Sequence, residues 1–142
     1  METETKNEKR VLIIDDDQEI IDLIQNCLDG IDIGISFSVD ETTDAHEGLV
    51  KLIDNQARIY SLVFIDLSMS PIRGDEIIKK VRTSTSKNAK VPFIIVSGYM
   101  ESETISLEDD ISQDVIFINK PFKIRRLQNH ASAWLSKRTE SN

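Results

Sequence analysis

The sequence predicts a single doubly wound α/β domain: a five-stranded parallel sheet covered by helices on both faces. Three observations carry this prediction. Strand-like and helix-like hydrophobic periods alternate along the 142 residues. Several strand-like runs are apolar at every position rather than at every second one, as in strands buried on both faces, and parallel neighbours require crossover connections that are usually helical. Finally, residues able to do chemistry stand directly after those runs, where the carboxyl ends of parallel strands form a crevice.

The first strand is Val11-Leu12-Ile13-Ile14. Ile20, Ile21, Leu23, Ile24, Cys27 and Leu28 then recur as one face of a helix, with Asp16 or Asp17 as its cap and Gly30 as its stop. Ile33, Ile35 and Phe37 alternate with small residues and predict the second strand. The second helix carries Ala45, Leu49, Leu52 and Ile53 after the cap-like Asp40. Residues 59–65 read as the third strand, 72–81 as the third helix, 91–96 as the fourth strand and 115–118 as the fifth. A final amphipathic helix covers 124–135. The crossover at 100–114 is the weakest unit: its apolar residues Ile105, Leu107 and Ile111 are sparse, and Thr104, Ile105 and Ser106 add little helix propensity. A short, shifted or mobile helix is expected there.

Composition removes several function classes. A 39% hydrophobic share at this length is that of one folded core. No apolar run approaches the roughly 20 residues needed to span a bilayer, and the first ten residues lack an apolar signal region, so a cytoplasmic protein without membrane contact is expected. Cys27 has no partner cysteine and falls on the apolar helix face, where a buried, inert thiol is expected. The formal charge of −8 opposes nonspecific binding to nucleic acid. Glu101, Glu103, Glu108, Asp109, Asp110 and Asp114 concentrate acid in one stretch that reads as a solvated face. His46 and His130 lie far apart, have no neighbouring ligand pattern and receive no role.

Asp15 and Asp16 follow the first strand, Asp66 ends the third, Ser97 follows the fourth and Lys120 follows the fifth. Taken singly, each has an ordinary structural reading. Asp15 or Asp16 could cap the first helix, Asp66 could begin a turn, Lys120 before Pro121 could be a plain exposed lysine, and Ser97 beside Gly98 a turn residue. Convergence from four separated segments favours a common site. Carboxylates crowded in a partly dry place repel one another, so a divalent cation is implied, and the cluster reads as a magnesium and phosphoryl site.

At these residues the sequence resembles the receiver domain of bacterial two-component response regulators, over residues 9–136. Val11-Leu12-Ile13-Ile14-Asp15-Asp16-Asp17 is similar to that family's first strand and acidic pair, and Leu62-Val63-Phe64-Ile65-Asp66 to its phosphoacceptor strand. Gly74 stands eight residues after Asp66, Ser97-Gly98 matches the hydroxyl residue and its small neighbour, Asn119-Lys120-Pro121-Phe122 the lysine signature, and Phe117 the aromatic switch position. The resemblance implies a flavodoxin-like (βα)5 fold with short tails at 1–8 and 137–142. It also implies roles. Asp66 would accept a phosphoryl group, and Asp16, Asp66 and the backbone carbonyl of Ser68 would coordinate Mg²⁺, with Asp15 acting through a metal-bound water. Lys120 and Ser97 would bind phosphoryl oxygens, and Ser97 with Phe117 would form the switch. Implied partners are a histidine kinase or histidine phosphotransfer protein, and a downstream protein that docks on the fourth crossover, the fifth strand and the last helix. With seven residues left after Leu135 and no DNA-binding helix-turn-helix, the reading is a single-domain regulator or phosphoryl relay.

Three departures from the family pattern stand out. Ser70 occupies a usual proline position with Pro71 one later, Arg73 stands where an acid is common, and 100–114 lacks the usual alanines and glycine. Among other classes, a haloacid dehalogenase-type hydrolase would need an aspartate at position 68, which is serine. A flavin site would need a phosphate-cradling loop where this chain has three aspartates. A receiver-like interaction module that works without phosphorylation is the remaining alternative.

Overall fold

The computed structural model describes residues 9–34, 36–98 and 107–136. Among them lie β1 (Lys9–Ile14), α1 (Gln18–Asp29), β2 (Phe37–Thr42), α2 (Ala45–Ile53), β3 (Leu62–Asp66), α3 (Gly74–Arg82), β4 (Phe93–Gly98), β5 (Val115–Lys120) and α4 (Ile124–Ser136). The strands form one parallel sheet in the order β2-β1-β3-β4-β5. The chain runs outward from β1 to β2 and then crosses back to β3. The order therefore reverses at the β1/β3 pair, and the crevice beyond the carboxyl ends of those two strands is where such sheets hold their chemistry.

Successive strand side chains point to opposite faces, so each central strand feeds two cores. Val63 and Ile65 of β3 join Leu12, Ile14, Leu52, Ile77, Ile78 and Val81 on the side covered by α2 and α3. Leu62 and Phe64 join Val11, Ile13, Ile21, Ile24, Leu28, Leu127 and Leu135 on the side covered by α1 and α4. Trp134 packs against this second cluster, as packing rather than exposed surface. Each fully buried side chain of this size contributes roughly 1.5–3 kcal/mol.

The caps of α1 are as the sequence indicates: Asp17 accepts from the Glu19 amide, and the Gly30 amide closes the other end on Cys27 and Leu28 carbonyls. The second unit differs. β2 starts at Phe37, so Ile33 precedes it and residue 35 lies outside the described residues. Asp40 is not a cap but a residue within β2, where its carboxylate accepts from the Tyr60 hydroxyl at 2.7 Å. The cap of α2 is Asp44, which accepts from the Glu47 amide at 3.0 Å. Tyr60 is buried beside a carboxylate, and both effects push its phenol above its ordinary range.

The third strand begins at Leu62, later than its apolar composition indicates, because the preceding residues are held by other groups. Ile59 is 60% exposed, the Tyr60 amide donates to Asn88 Oδ1, and the Ser61 amide donates to the Arg10 carbonyl. α3 begins at Gly74 rather than at 72, with the Arg73 amide held by the Glu76 carboxylate. The sequence prediction of a helix at 100–114 meets two outcomes. Residues 99–106 lie outside the described residues, and 107–114 form turns in which the Glu108 carbonyl accepts from the Ile111 and Ser112 amides. This stretch is tied down by Arg82, whose guanidinium donates to the carbonyls of Ala89, Val91, Ile111 and Gln113 and lies 5.1 Å from the Phe93 ring centroid.

Candidate functional site

Three chain positions bring carboxylates to the switch point. Asp15 lies one residue beyond β1, Asp16 follows it, and Asp66 is the last residue of β3, the strand beside β1. One oxygen from each lies within 4.8 Å of the others. Asp15 and Asp66 are buried, at 1% and 4% exposure, whereas Asp16 faces solvent. The sequence cue was simple: an apolar strand that must stay buried ends in a charge that must not, so the charge falls at the rim.

The acids differ in their partners. Asp15 Oδ1 accepts from the Asp17 amide at 2.9 Å, and the Asp15 amide donates to the Thr42 carbonyl at the end of β2 at 3.2 Å. Its other oxygen, Oδ2, is buried without a hydrogen-bond donor, 3.8 Å from Lys120 Nζ. Burial pushes the Asp15 carboxyl up to about 7, helped by the negative charges of Asp66 and Asp16 and opposed by the Asp17 amide and Lys120. Asp66 Oδ1 lies 3.5 Å from Lys120 Nζ and 3.5 Å from the Ser68 amide.

Lys120 closes β5, an edge strand, while Asp66 closes β3, two strands away. The long lysine stem crosses the end of β4, and a shorter amine would not reach. Ser97, on β4 one step past the Val96 that pairs with Asp66, is fully buried, and its Oγ has no hydrogen-bond partner. A buried hydroxyl without a partner costs roughly 1–3 kcal/mol, a penalty that an incoming acceptor would relieve. Phe117 on β5 pairs with Ile95 and lies half-buried against the core on the α2/α3 side. Ser68 is exposed just beyond Asp66.

The candidate residues therefore fall together: Asp15, Asp16 and Asp66 within one cation's reach, Lys120 within ion-pair reach of Asp15 and Asp66, and Ser97 on the neighbouring strand. Four features were not read from the sequence as parts of the site. Thr42 anchors Asp15 through its carbonyl. Gly74, noted only for its spacing, lets α3 approach β3: a Cβ there would lie 2.3 Å from the Asp66 carbonyl oxygen. Arg73 spends its charge on Asp75, with Nε 3.0 Å from Oδ1. The Ser70–Pro71 and Lys120–Pro121 peptides flanking the site are both cis. The part each plays carries no local sequence signal, because it depends on what the rest of the chain places opposite it.

Hard oxygen donors from separate segments, one of them buried without a donor of its own, suit a small divalent cation, so the residues present fit Mg²⁺.

Comparison with known proteins agrees with this geometry. Residues 11–132 match the family model described as the response regulator receiver domain. The nisin biosynthesis regulatory protein NisR of Lactococcus lactis subsp. lactis is 31% identical over 134 residues, covering 94% of this chain and 52% of that protein. The response regulator ArlR of Staphylococcus saprophyticus is 28% identical over 133 residues, with 94% and 55% covered. The chain thus spans about half the length of these relatives. The phosphorylated cyanobacterial phytochrome response regulator RcpA superposes with a TM-score of 0.72 at 20% identity, over 93% of this chain and 97% of that one, a likeness of fold. With most of its length matched by that family model, and with an acidic pocket where such domains bind Mg²⁺, the chain belongs to the response regulator receiver domain family, signalling modules of two-component systems.

Proposed function

We propose that residues 9–136 form a receiver that takes a phosphoryl group onto Asp66 from the phosphohistidine of a histidine kinase or histidine phosphotransfer protein, in a Mg²⁺-dependent reaction, and so switches a partner-binding surface. Residues 1–8 and 137–142, read from the sequence as tails, lie outside the described residues. The observation that carries this reading is the buried Asp66 carboxylate, gathered with Asp15 and Asp16 within one cation's reach and faced by the Lys120 ammonium.

In the transfer, an Asp66 carboxylate oxygen attacks phosphorus in line, the O–P bond forms as the P–N bond to the donor imidazole breaks, and the electron pair stays with the imidazole. Lys120 pairs with Asp66 beforehand and with a phosphoryl oxygen afterwards, keeping positive charge where negative charge collects. Ser97 donates its unpartnered hydroxyl to another phosphoryl oxygen. Asp16, Asp66 and the backbone carbonyl of Ser68 would hold Mg²⁺, with Asp15 acting through a water, and the ion would supply neutralisation of the phosphoryl charge. The gain of about two negative charges at Asp66 draws Ser97 inward, and Phe117 moves to fill the space released. That motion biases the surface made by the 107–114 turns, β5 and α4, where a downstream protein docks.

The test is incubation with acetyl phosphate with and without Mg²⁺, read by intact mass. One phosphoryl group should be gained only with Mg²⁺ and not by Asp66→Asn. No gain in the native protein, or equal gain in the variant, would refute the assignment and leave a phosphorylation-independent interaction module as the reading.

A further inference from the structure

Away from the phosphoryl site, the charge of this acidic chain is unevenly placed. Residues 79–91 carry Lys79, Lys80, Arg82, Lys87 and Lys90 and no acid, whereas 107–114 carry Glu108, Asp109, Asp110 and Asp114 and no base. The four lysines and four acids are exposed. Among the described residues none of the eight has an ion pair or a side-chain hydrogen bond; the pairs that exist lie elsewhere. Lys79 and Lys80 complement the carboxyl end of α3, but Lys87 and Lys90 lie beyond it and serve no helix.

The two patches are neighbours because of Arg82. One guanidinium holds the carbonyls on either side of Lys90, those of Ala89 and Val91, and also the carbonyls of Ile111 and Gln113, which follow the acidic turn. Its hydrogen bonds go to backbone, and its charge is felt by Asp114 but forms no ion pair with Glu108, Asp109 or Asp110 among the described residues. The result is a surface on which a basic strip and an acidic strip are tied together by one side chain.

We propose that this surface binds a second copy of the same chain about a two-fold axis, the Lys80, Lys87 and Lys90 strip of each protomer facing the Glu108, Asp109 and Asp110 turn of the other. An isologous contact makes every pairing twice, and side-by-side strips of opposite sign are self-complementary when rotated by half a turn. A nucleic acid or an anionic membrane would meet the lysines but be repelled by the adjacent acids, whereas a second copy satisfies both. Exposed ion pairs are individually weak and screened by salt, so the association is transient and salt-sensitive.

Sedimentation velocity on the whole chain, without phosphodonor, tests this. Three proteins are compared: the native chain, Lys80→Glu/Lys87→Glu/Lys90→Glu, and Glu108→Lys/Asp109→Lys/Asp110→Lys. All substituted positions are exposed, and far-ultraviolet circular dichroism confirms that each variant folds. The native chain should self-associate at 50 mM salt and weaken by about tenfold or more at 500 mM. Each variant alone should be monomeric, and an equimolar mixture of the two should form a heterodimer tighter than the native dimer. A monomeric mixture, or native association that neither variant disturbs, overturns the proposal. Native binding to a DNA duplex or to phosphatidylserine vesicles with no self-association overturns it in favour of a polyanion.

Discussion

Asp15 is the residue at which the site's electrostatics become measurable. Its carboxyl is raised from the ordinary value of 3.8 to about 7, chiefly by burial. A group whose folded value is raised stabilises the fold fully below its unfolded value and loses that contribution as pH rises through its folded value. The metal-free protein should therefore lose stability between about pH 4 and pH 7 on account of Asp15. Asp15→Asn keeps an oxygen for the Asp17 amide and removes the charge, so in EDTA it should match the native protein at pH 4 and exceed it at pH 8 by about 1–2 kcal/mol. Thermal denaturation at the two pH values checks this, and a variant less stable at pH 8 would contradict it. The same residue marks what a sequence discloses at this scale. Asp15, Asp16, Asp66 and Lys120 were legible because charge at the end of an apolar run is conspicuous, whereas the difference between a buried Asp15 and an exposed Asp16 depends on neighbours supplied by β2 and β5.

Between elements, the contacts that matter are backbone approaches. Gly74 seats the first turn of α3 on the end of β3, its amide 2.9 Å from the Leu67 carbonyl. Gly74→Ala would press a methyl group onto the Asp66 carbonyl and should cost about 1–3 kcal/mol. Urea denaturation should show the loss, and acetyl phosphate should label the variant more slowly because Asp66 is displaced. Arg82 does at the other end of α3 what Gly74 does at this one, binding by long reach where glycine binds by absence. Arg82→Ala strips four carbonyls of their donor and should cost about 2–3 kcal/mol. Hydrogen exchange should then rise in 111–114 more than in β1 or β3. At this scale the alternating periods located four strands and four helices, but not all their ends, and placed the second strand too early, meeting β2 only at Phe37. Asp40 read as a cap because aspartate often is one; β2 ran past it once β1 offered pairing through Ile14, and Asp44 became the first free cap. Ile59 read as strand from its composition, although no neighbour covers it. The helical signal after β4 was weak, and in its described part turns held by Arg82 stand where a short, shifted or mobile helix was expected.

Across the whole molecule, the parallel doubly wound sheet was legible because unbroken apolar runs have few other uses in a chain this short. Strand order was not written in any single segment, and it comes from the crossovers. That order gives β3 a double membership: Leu62 and Phe64 belong to one core, Val63 and Ile65 to the other. Ile77→Val and Ile24→Val, on opposite sides, should each cost about 0.5–1.5 kcal/mol and sum to within about 0.5 kcal/mol when combined. Ile24→Val with Leu127→Ala, on the same side, should depart from the sum. Chemical denaturation of the singles and doubles measures both. The strand that ends in Asp66 is thus a party wall between two rooms: either can be refurnished alone, but a change to the wall is felt in both, and at the doorway where Asp66 stands.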